Sequence, residues 1–352
     1  MITFEINGTE FINVKKAEAS DSIDEFAGSF SFTTHKKIGA AVDDLCIVKV
    51  DGEKFITGYI DSAEIDYSED SHNVTFSGRA KTQDVIDSTI GNKVTITGAV
   101  TLKDAIQIVL DDISSTLKII DNANTDKFEK FDKISGDIGD NAFELISKYC
   151  RKRQVLLSSN EDGDIVLSKG KTKDSGLSIN SKDETGNIKK ANFISSHANR
   201  FNRYQVFSQS NTSGFNFTGE TSAKKLASND GIVSDKEIRS SRVMSVVAET
   251  SSTDEDCEKR ADWMARVNRS RSITYRATVA NHNQDGMVWK KGYLVNIDDD
   301  FSFNKPVKML IKKLTFSMGD ETTTSLEFAP EDTYENLISE PVKIEKDATF
   351  SF

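Results

Sequence analysis

Two regions of the sequence share one β-type layout and stand on either side of a stretch with helical periodicity. The first is "LCIVKVDGEKFITGYIDSAEIDYSEDSHNVTFSGR", residues 45–79, and the second is "YLVNIDDDFSFNKPVKMLIKKLTFSMGDETTTSLEFAPE", residues 293–331. Each has a short apolar strand ending in Asp, a strand rich in β-branched residues, a polar turn and a last strand with a Phe. This layout predicts a mixed, mainly β chain that carries two similar small β-barrels or sandwiches.

The first 88 residues are predicted to form the first of these β domains. Asn7-Gly8 and Asp51-Gly52 each separate two strand-like runs, and such pairs favour a tight hairpin turn. The segment "AGSFSFTT" alternates Phe with small polar residues, as a strand with one buried face does. Short strands with turns between them indicate a small barrel or sandwich.

Residues 89–185 are predicted to form an inserted α+β domain. "TLKDAIQIVLDDI" places apolar residues at helical spacing, with Thr101 as the cap and Asp104 three residues later. A second helix is predicted in "DNAFELISKYCRKRQ", with Asp140 as its cap. The Asp162-Gly163 pair that follows predicts a hairpin rather than a calcium loop, because the pattern of acids at alternate positions is incomplete.

Residues 186–335 return to β-type patterns and are predicted to form the second barrel. Its one helix is expected near 253–269, with acidic residues in the first turn and arginines in the last, as the helix dipole favours. Residues 213–232 are small and polar and predict a loop. Residues 336–352 are treated as a C-terminal tail.

The stretch "VTFSGRAKTQDVIDS", residues 74–88, raises the question of a phosphate-binding loop. Such a loop needs a second glycine immediately before its lysine, so that backbone N–H groups surround the phosphates. Here only Gly78 is present, and Lys81 follows Ala80. The sequence instead predicts a domain corner at Gly78-Arg79, with a short helix beginning at Lys81 or Thr82.

Composition narrows the function classes further. The net charge of −11 is the opposite of what duplex-binding proteins usually carry. The N-terminus lacks the pattern of a signal peptide, and no run reaches the roughly 18 apolar residues that span a membrane. These features predict a chain made in a cytoplasm, without membrane insertion.

The candidate reactive residues are scattered. Three cysteines (Cys46, Cys150 and Cys257) and four histidines show no ligand spacing, and no nucleophile or metalloprotease motif occurs. We therefore predict no catalytic, cofactor-binding or metal site, no cofactor, and no enzymatic activity. Trp263 is expected in a core or domain contact, whereas Trp289 fits either a core or a subunit interface.

Several segments together resemble the baseplate hub proteins of Mu-like contractile-tailed phages. They are "VTFSGRAKTQDVIDSTI", "TLKDAIQIVLDDI", "NAFELISKYCRKRQVLLSSNEDGDIVLSK", "NIKKANFISSHANRFNRYQVFSQS", "CEKRADWMARVNRSRSITYRATVANH", "GMVWKKGYLVNIDD" and "LIKKLTFSMGDETTTSLEFAPEDTY". They cover nearly the whole chain in the order of the family. Related architecture is expected in the trimeric hub of T4-like phages and in type VI secretion spike proteins.

This resemblance implies a structural, non-enzymatic hub in the virion tail. It implies a homotrimeric, pseudo-six-fold ring that adapts the six-fold tail tube to the three-fold central spike and lines a channel for DNA. The tube, the spike and the baseplate wedge proteins are the implied partners. Two other readings stay open: a receptor- or carbohydrate-binding tail module, and a wall-degrading tail enzyme.

Overall fold

The computed structural model is mainly β, with antiparallel sheets and few helices. It describes residues 1–69, 72–153, 155–169, 172–182, 186–208, 224–227, 238–247 and 254–334. The expectation of a C-terminal tail at 336–352 lies outside these residues.

The first β region contains seven strands, and two of its hairpins turn tightly at Asn7-Gly8 and Asp51-Gly52. Asn7, Gly8, Asp51 and Gly52 all have positive φ angles, which glycine adopts freely and which Asn and Asp tolerate. Both predicted hairpin turns are therefore confirmed. The strands are β1 (Ile2–Ile6), β2 (Thr9–Phe11), β3 (Lys16–Ser22), β4 (Ser29–Thr34), β5 (Leu45–Val50), β6 (Glu53–Tyr67) and β7 (His72–Ala80).

The middle of the chain folds as an α+β unit with its own small sheets. Thr101 is the cap of its helix, as predicted, and it forms a full capping box, since Thr101 accepts from the backbone of Asp104 and Asp104 accepts from the backbone of Thr101. The elements are α1 (Gln83–Asp87), β8 (Val94–Val100), α2 (Leu102–Asp112), β9 (Ile119–Asp121), β10 (Phe131–Gly136), α3 (Ala142–Lys152), β11 (Leu156–Ser159) and β12 (Ile165–Ser168).

One cap and one turn of this unit test the sequence predictions directly. The cap of α3 is Asn141, not Asp140, because the Asn141 side chain accepts from the Glu144 N–H at 3.0 Å. Asp140 instead accepts from the backbone N–H of Asp137. The hairpin around Asp162-Gly163 is confirmed, since β11 and β12 pair antiparallel.

The rest of the described chain contains eleven strands and one long helix. They are β13 (Lys173–Asn180), β14 (Ile188–Ser195), β15 (Arg203–Ser208), β16 (Lys224–Ala227), β17 (Val243–Val247), α4 (Asp254–Ser272), β18 (Ile273–Ala280), β19 (Asn283–Gln284), β20 (Met287–Val288), β21 (Tyr293–Asp298), β22 (Val307–Met318) and β23 (Thr322–Pro330). The predicted helix is thus confirmed. The predicted loop at 213–232 falls largely outside the described residues, and its described part is strand β16.

The two β regions share one continuous sheet. Its strand order is β14-β18-β23-β22-β3-β4-β7-β6-β5-β1-β2, and β21 pairs with both β22 and β13. The connection between the regions is the antiparallel pairing of Lys313–Met318 with Ala17–Ser22. We call this pairing the internal joint.

Among the described residues, buried apolar side chains gather in three cores. The largest lies under the shared sheet and takes residues from both β regions, including Trp289. A second core fills the α+β unit and includes Phe26 from the first β region. A third, small core packs Cys257, Ala261 and Ala265 of α4 on β15.

The packing of the α+β unit ends earlier than residue 185. Strand β13 pairs with β21, and its Leu177 and Ile179 lie in the large core rather than in the core of the insert. The sequence "KDSGLSIN" is too polar to predict that this strand belongs to the large core. Only alternate residues at the end of the strand are apolar and buried.

Candidate assembly surface

Two sets of four strands in the shared sheet have the same arrangement. We define the first unit as β3-β4-β7-β6 and the second unit as β14-β18-β23-β22, each in its spatial order. In each unit a further strand follows, β5 beside β6 and β21 beside β22. The last strand of each unit also carries an irregularity at the same place, after Ile60 in β6 and after Ile311 in β22.

One face of these eight strands covers the large core, and the opposite face is polar. Successive side chains of a strand alternate between faces, so Phe30 and Phe32 point into the core while Ser29, Ser31 and Thr33 point away. The same alternation places Thr75 and Ser77 on the polar face.

Hydroxyl side chains form rows across this polar face. Thr33 and Thr75 are paired across two strands and their hydroxyl oxygens lie 3.0 Å apart. The Thr315 hydroxyl donates to that of Ser20 at 3.0 Å, across the internal joint. One row of cross-strand neighbours runs through Thr278, Ser325, Thr315, Ser20 and Ser29.

Charged groups on the polar face of the second unit form pairs. Arg276 donates to Glu327 at 2.8 Å, and Lys313 donates to Glu25 at 2.6 Å. A depression of about 530 Å³ in the sheet surface is lined by Lys190, Arg276, Lys313 and Glu327. A face made of hydroxyls and paired charges presents hydrogen-bonding groups without a strong field of one sign.

The segment with Gly78 turns out to be a strand, so the predicted corner at Gly78-Arg79 is wrong. Gly78 lies inside β7, where a Cβ would overlap the carbonyl oxygen of Tyr59 and the ring of Phe30. Gly78 is needed for this close approach, not for a turn. The chain bends two residues later, and Thr82 precedes α1, as predicted.

Arg79 and Lys81, at the end of β7 and just after it, contact neighbouring parts of the chain. Arg79 donates to Asp87 at 2.6 Å and to Asp61 at 2.9 Å, and these hydrogen bonds raise the pKa of its guanidinium. Lys81 runs past Gly163 in the hairpin of the α+β unit. The Lys81 side chain thus packs at a contact between units, and the geometry is not that of a phosphate cradle.

A buried ion pair connects three parts of the chain. The Lys291 ammonium lies 2.7 Å from the Asp21 carboxylate and donates to the carbonyl oxygen of Ser159 at 3.0 Å. Burial raises the pKa of Asp21, and the nearby Lys291 opposes this rise without cancelling it. The sequence analysis missed this contact, because its partners are far apart in the chain.

The remaining candidate residues have structural positions. All three cysteines are buried, and burial raises the pKa of Cys46 and Cys150 to about 12. Trp289 lies in the large core, whereas Trp263 is half-buried on α4. Within the described ranges, no cluster of three potential metal ligands occurs, and none of the helices there has the length and apolarity to cross a membrane.

Comparison with known proteins shows which families this chain is similar to. Residues 1–80 match the family model of the N-terminal domain of Mu phage baseplate assembly protein GpP-like, and residues 82–169 match that of the second domain of baseplate hub protein gp44-like. The predicted resemblance to Mu-type baseplate hubs is confirmed.

Individual relatives agree with these domain matches. The baseplate hub protein gp44 of Escherichia phage Mu is 24% identical over 334 residues, which are 91% of this chain and 84% of that protein. A 43 kDa tail protein of prophage MuSo2 from Shewanella oneidensis has the same fold, with a TM-score of 0.78, 23% identity and coverage of 96% and 99% of the two chains.

The fold similarity extends to type VI secretion. The E. coli c3393 protein, a component of the type VI secretion system, aligns with a TM-score of 0.59 and 9% identity over 97% of this chain and 80% of that one. Together, the domain and relative matches support a structural role in a phage-tail baseplate and a place in the virion tail.

Proposed function

We propose that this protein is the non-enzymatic hub of a contractile phage tail, or of a phage-like particle, and acts as a homotrimer. In this role it adapts the six-fold tail tube to the three-fold central spike. The observation that supports the proposal is the pair of four-stranded units with equal strand order in one chain. The baseplate hub matches give the context.

The arithmetic of symmetry links the two units to the function. Three chains with two similar units each present six similar surfaces around one axis. One side of such a ring meets a six-fold tube with six equivalent contacts, while its true three-fold symmetry suits a spike. A closed cyclic assembly also satisfies the rule that soluble homo-oligomers close on themselves.

The polar face of the shared sheet suits the wall of a DNA channel. Its hydroxyl rows and paired charges offer no basic stripe that would hold phosphates, and the chain as a whole carries a net charge of −11. DNA would therefore pass such a wall without specific binding. In this arrangement the polar face points to the axis and the large core lies outside it.

The α+β unit would extend from the ring toward other baseplate proteins. It has its own core and meets the β regions through Phe26, Lys81 and the Lys291 contact. We propose the spike or the wedge proteins as its partners. The domain boundaries that we propose are 1–88 for the first β domain, 89 to about 170 for the α+β unit, and the remainder to 335 for the second β domain. We also propose that the protein is made in the host cytoplasm.

The direct test is the molar mass of the purified protein by light scattering, with negative-stain images of the same peak. A mass of three chains and a ring with a central hole would support the hub. A protein that stays monomeric over a wide concentration range, with no ring in the images, would contradict a stable free trimer and favour the receptor- or carbohydrate-binding module.

A further inference from the structure

The connection between β21 and β22 differs from its counterpart in the first unit. The counterpart joins β5 to β6, and these strands stay paired up to the tight turn at Asp51-Gly52. The pairing of β21 with β22 ends at Ile297 and Val307, and residues 299–306 form a loop without strand pairing. We call this segment the Phe301 loop. It occurs in the second unit and not in the first.

Hydrogen bonds at the start of the Phe301 loop hold it in a turn. The Asp299 side chain is buried, and its carboxylate accepts from the Tyr275 hydroxyl at 2.8 Å and from the Phe301 backbone N–H at 3.2 Å. The Asp299 carbonyl oxygen accepts from the backbone N–H groups of Ser302 and Phe303, at 3.1 and 2.8 Å. The backbone on both sides of Phe301 is therefore fixed by one residue of the loop.

A buried ring anchors the other end of this turn. Phe303 is buried in the large core, where its ring centroid lies 5.2 Å from that of Tyr275 and 5.3 Å from that of Phe193. Asp299 and Phe303 thus point inward, and Phe301 lies between them on the outside. The ring of Phe301 is 99% exposed, so it makes almost no contact with the rest of the described chain.

The fixed turn distinguishes Phe301 from an ordinary surface residue. Single apolar side chains on a protein surface are common and need no explanation. Phe301, however, is presented by backbone that is held at both ends, and a partner that covers its ring immobilises only the ring itself. Rigid aromatic side chains of this kind make efficient anchors, because they bury a large area at a small entropic cost.

The residues around Phe301 define what kind of surface fits it. Residues 298–305 contain three acids and one base. Asp300, next to Phe301, is exposed, whereas the Asp298 carboxylate lies 2.6 Å from the Lys182 ammonium. Segments that insert apolar rings into membranes carry Lys and Arg, which anionic lipids attract, and the acids here have the opposite charge. A protein pocket with apolar walls and basic groups at its rim is complementary to the loop.

Another copy of this chain is a poorer match for the Phe301 loop. The chain carries a net charge of −11, so the long-range field between two copies is repulsive. A basic rim beside Asp300 is more readily supplied by a different protein.

The number of loops per assembly gives a further property of the partner. In the proposed ring, each chain contributes one Phe301 loop and one turn at Asp51-Gly52, at corresponding places of its two units. The two features therefore alternate around the axis, three of each. A partner that recognises Phe301 meets the ring at three sites and not at six. This count rests on the proposed trimeric hub, whereas the recognition of Phe301 does not.

We infer that the Phe301 loop is a docking site for a different protein of the particle, whose apolar pocket receives the Phe301 ring and whose basic rim faces Asp300. The acid steers the approach of the partner, and the buried ring supplies most of the affinity. The partner is bound in three copies per ring, or is itself a trimer.

Photocrosslinking identifies the partner. The photoreactive residue p-benzoylphenylalanine replaces Phe301 in the full chain, in the bacterium that makes the particle, and purified particles are irradiated. The expected product joins this chain to one other protein, at a peptide that combines apolar residues with Lys or Arg. The same probe in place of Lys36, an exposed residue just after β4, should give no crosslink to that protein.

Binding measurements with the protein identified in this way test the anchor. Phe301→Ala should weaken binding at least about thirtyfold, because truncation of a central aromatic anchor has an effect of this size. Phe301→Leu should lose less, since part of the apolar contact remains. Val42→Ala is the matched control, because Val42 is 47% exposed in the first β region, and its truncation should change the affinity less than about twofold.

A charge reversal tests the basic rim. Asp300→Lys should slow association about threefold to tenfold, and this difference should nearly disappear at about 1 M salt, where charges are strongly screened. Glu10→Lys, at an exposed position of β2, makes the same charge change elsewhere and should alter the rate less than about twofold. An equal effect of the two reversals would overturn the rim contact at Asp300.

The outcomes separate this docking site from the hub itself. Crosslinks from position 301 only to another copy of this chain or to lipid, or a Phe301→Ala variant that binds the partner as tightly as the wild type, would overturn the docking site and leave the trimeric hub standing. Six partner molecules bound per ring would overturn the three-site count. Purified particles that do not contain this chain would overturn the proposed hub. Binding that requires Phe301 in a monomeric protein would support the docking site and contradict only the stable free trimer.

Discussion

The two four-stranded units have the same strand order but fill their cores differently. In the first unit, Phe30 on β4 is paired with Gly78 on β7. At the equivalent place in the second unit, Tyr275 on β18 is paired with Phe328 on β23. One unit thus sets a large ring against a residue with no side chain, and the other sets two large rings side by side.

Each unit completes its core with different neighbours. In the first unit the rings of Phe32 and Phe76 stack with their centroids 5.1 Å apart, and the ring centroid of Phe4 lies 4.2 Å from that of Phe32. In the second unit Tyr275 lies 5.9 Å from Phe328, and its hydroxyl donates to the buried Asp299 at 2.8 Å.

The comparison teaches that strand order and core composition are separable in this fold. The units keep the pairing pattern that allows edge-to-edge joining, while volume lost at one position is replaced from another strand. Cores tolerate such exchanges as long as total volume and patterning are kept.

The second unit should be most sensitive to loss of its paired ring. Phe328→Ala should lower the free energy of unfolding by about 3–5 kcal/mol, because it removes a fully buried ring and leaves a cavity. The urea midpoint of the purified protein measures this. Phe301→Ala is the matched control, since Phe301 is 99% exposed, and its change should stay within about 0.5 kcal/mol. Equal effects of the two substitutions would contradict the placement of Phe328 in the core of the second unit.

The first unit should be sensitive in the opposite direction, to added volume. Gly78→Ala should lower the free energy of unfolding by about 1–3 kcal/mol, because the new methyl group overlaps the Tyr59 carbonyl and the Phe30 ring. Gly39→Ala serves as the control, because a Cβ there meets no atom within 4 Å. A neutral Gly78→Ala would mean that β6 and β7 separate easily at this point.

Local patterns were enough to predict much of the fold. Hairpin turns at Asn7-Gly8 and Asp162-Gly163, the cap at Thr101 and the helix near 253–269 follow from residue chemistry within a few positions. The duplicated layout predicted two β units as well. These features are local, or repeat a local pattern, so one sequence suffices to find them.

Long-range features could not be predicted in the same way. The internal joint connects residues about 300 positions apart, and nothing in "KAEASDS" identifies β22 as its partner. The sequence predicts a corner at Gly78, which lies inside β7, because a glycine in a strand and a glycine in a turn look alike in sequence. The hydroxyl rows had a signal, the alternation of Ser and Thr with Phe, but their alignment across strands depends on register.

Histidines provide the third and smallest contrast, which is between one buried side chain and three exposed ones. His35 and His72 of the first β region and His197 of the second are exposed, whereas His282 is buried beside Phe316, with its Nε2 3.0 Å from the Ser317 carbonyl oxygen. Burial lowers the pKa of His282, and the hydrogen bond to Ser317 only partly offsets this. The folded protein therefore resists protonation that the unfolded chain accepts.

This difference makes stability depend on pH through the second unit. The unfolded histidine titrates near pH 6.5, so the contribution is complete above that pH and is lost as the pH falls toward the lowered pKa of the folded state. The free energy of unfolding should decrease between pH 7.5 and 5.5, and this residue contributes a slope of at most about 1.4 kcal/mol per pH unit. The urea midpoint, measured at each pH, follows this decrease. His282→Gln should flatten the slope, and His35→Gln should leave it unchanged. If His282→Gln kept the full slope, the pH dependence would belong to other groups, and the contrast between the buried and the exposed histidines would have no consequence for stability.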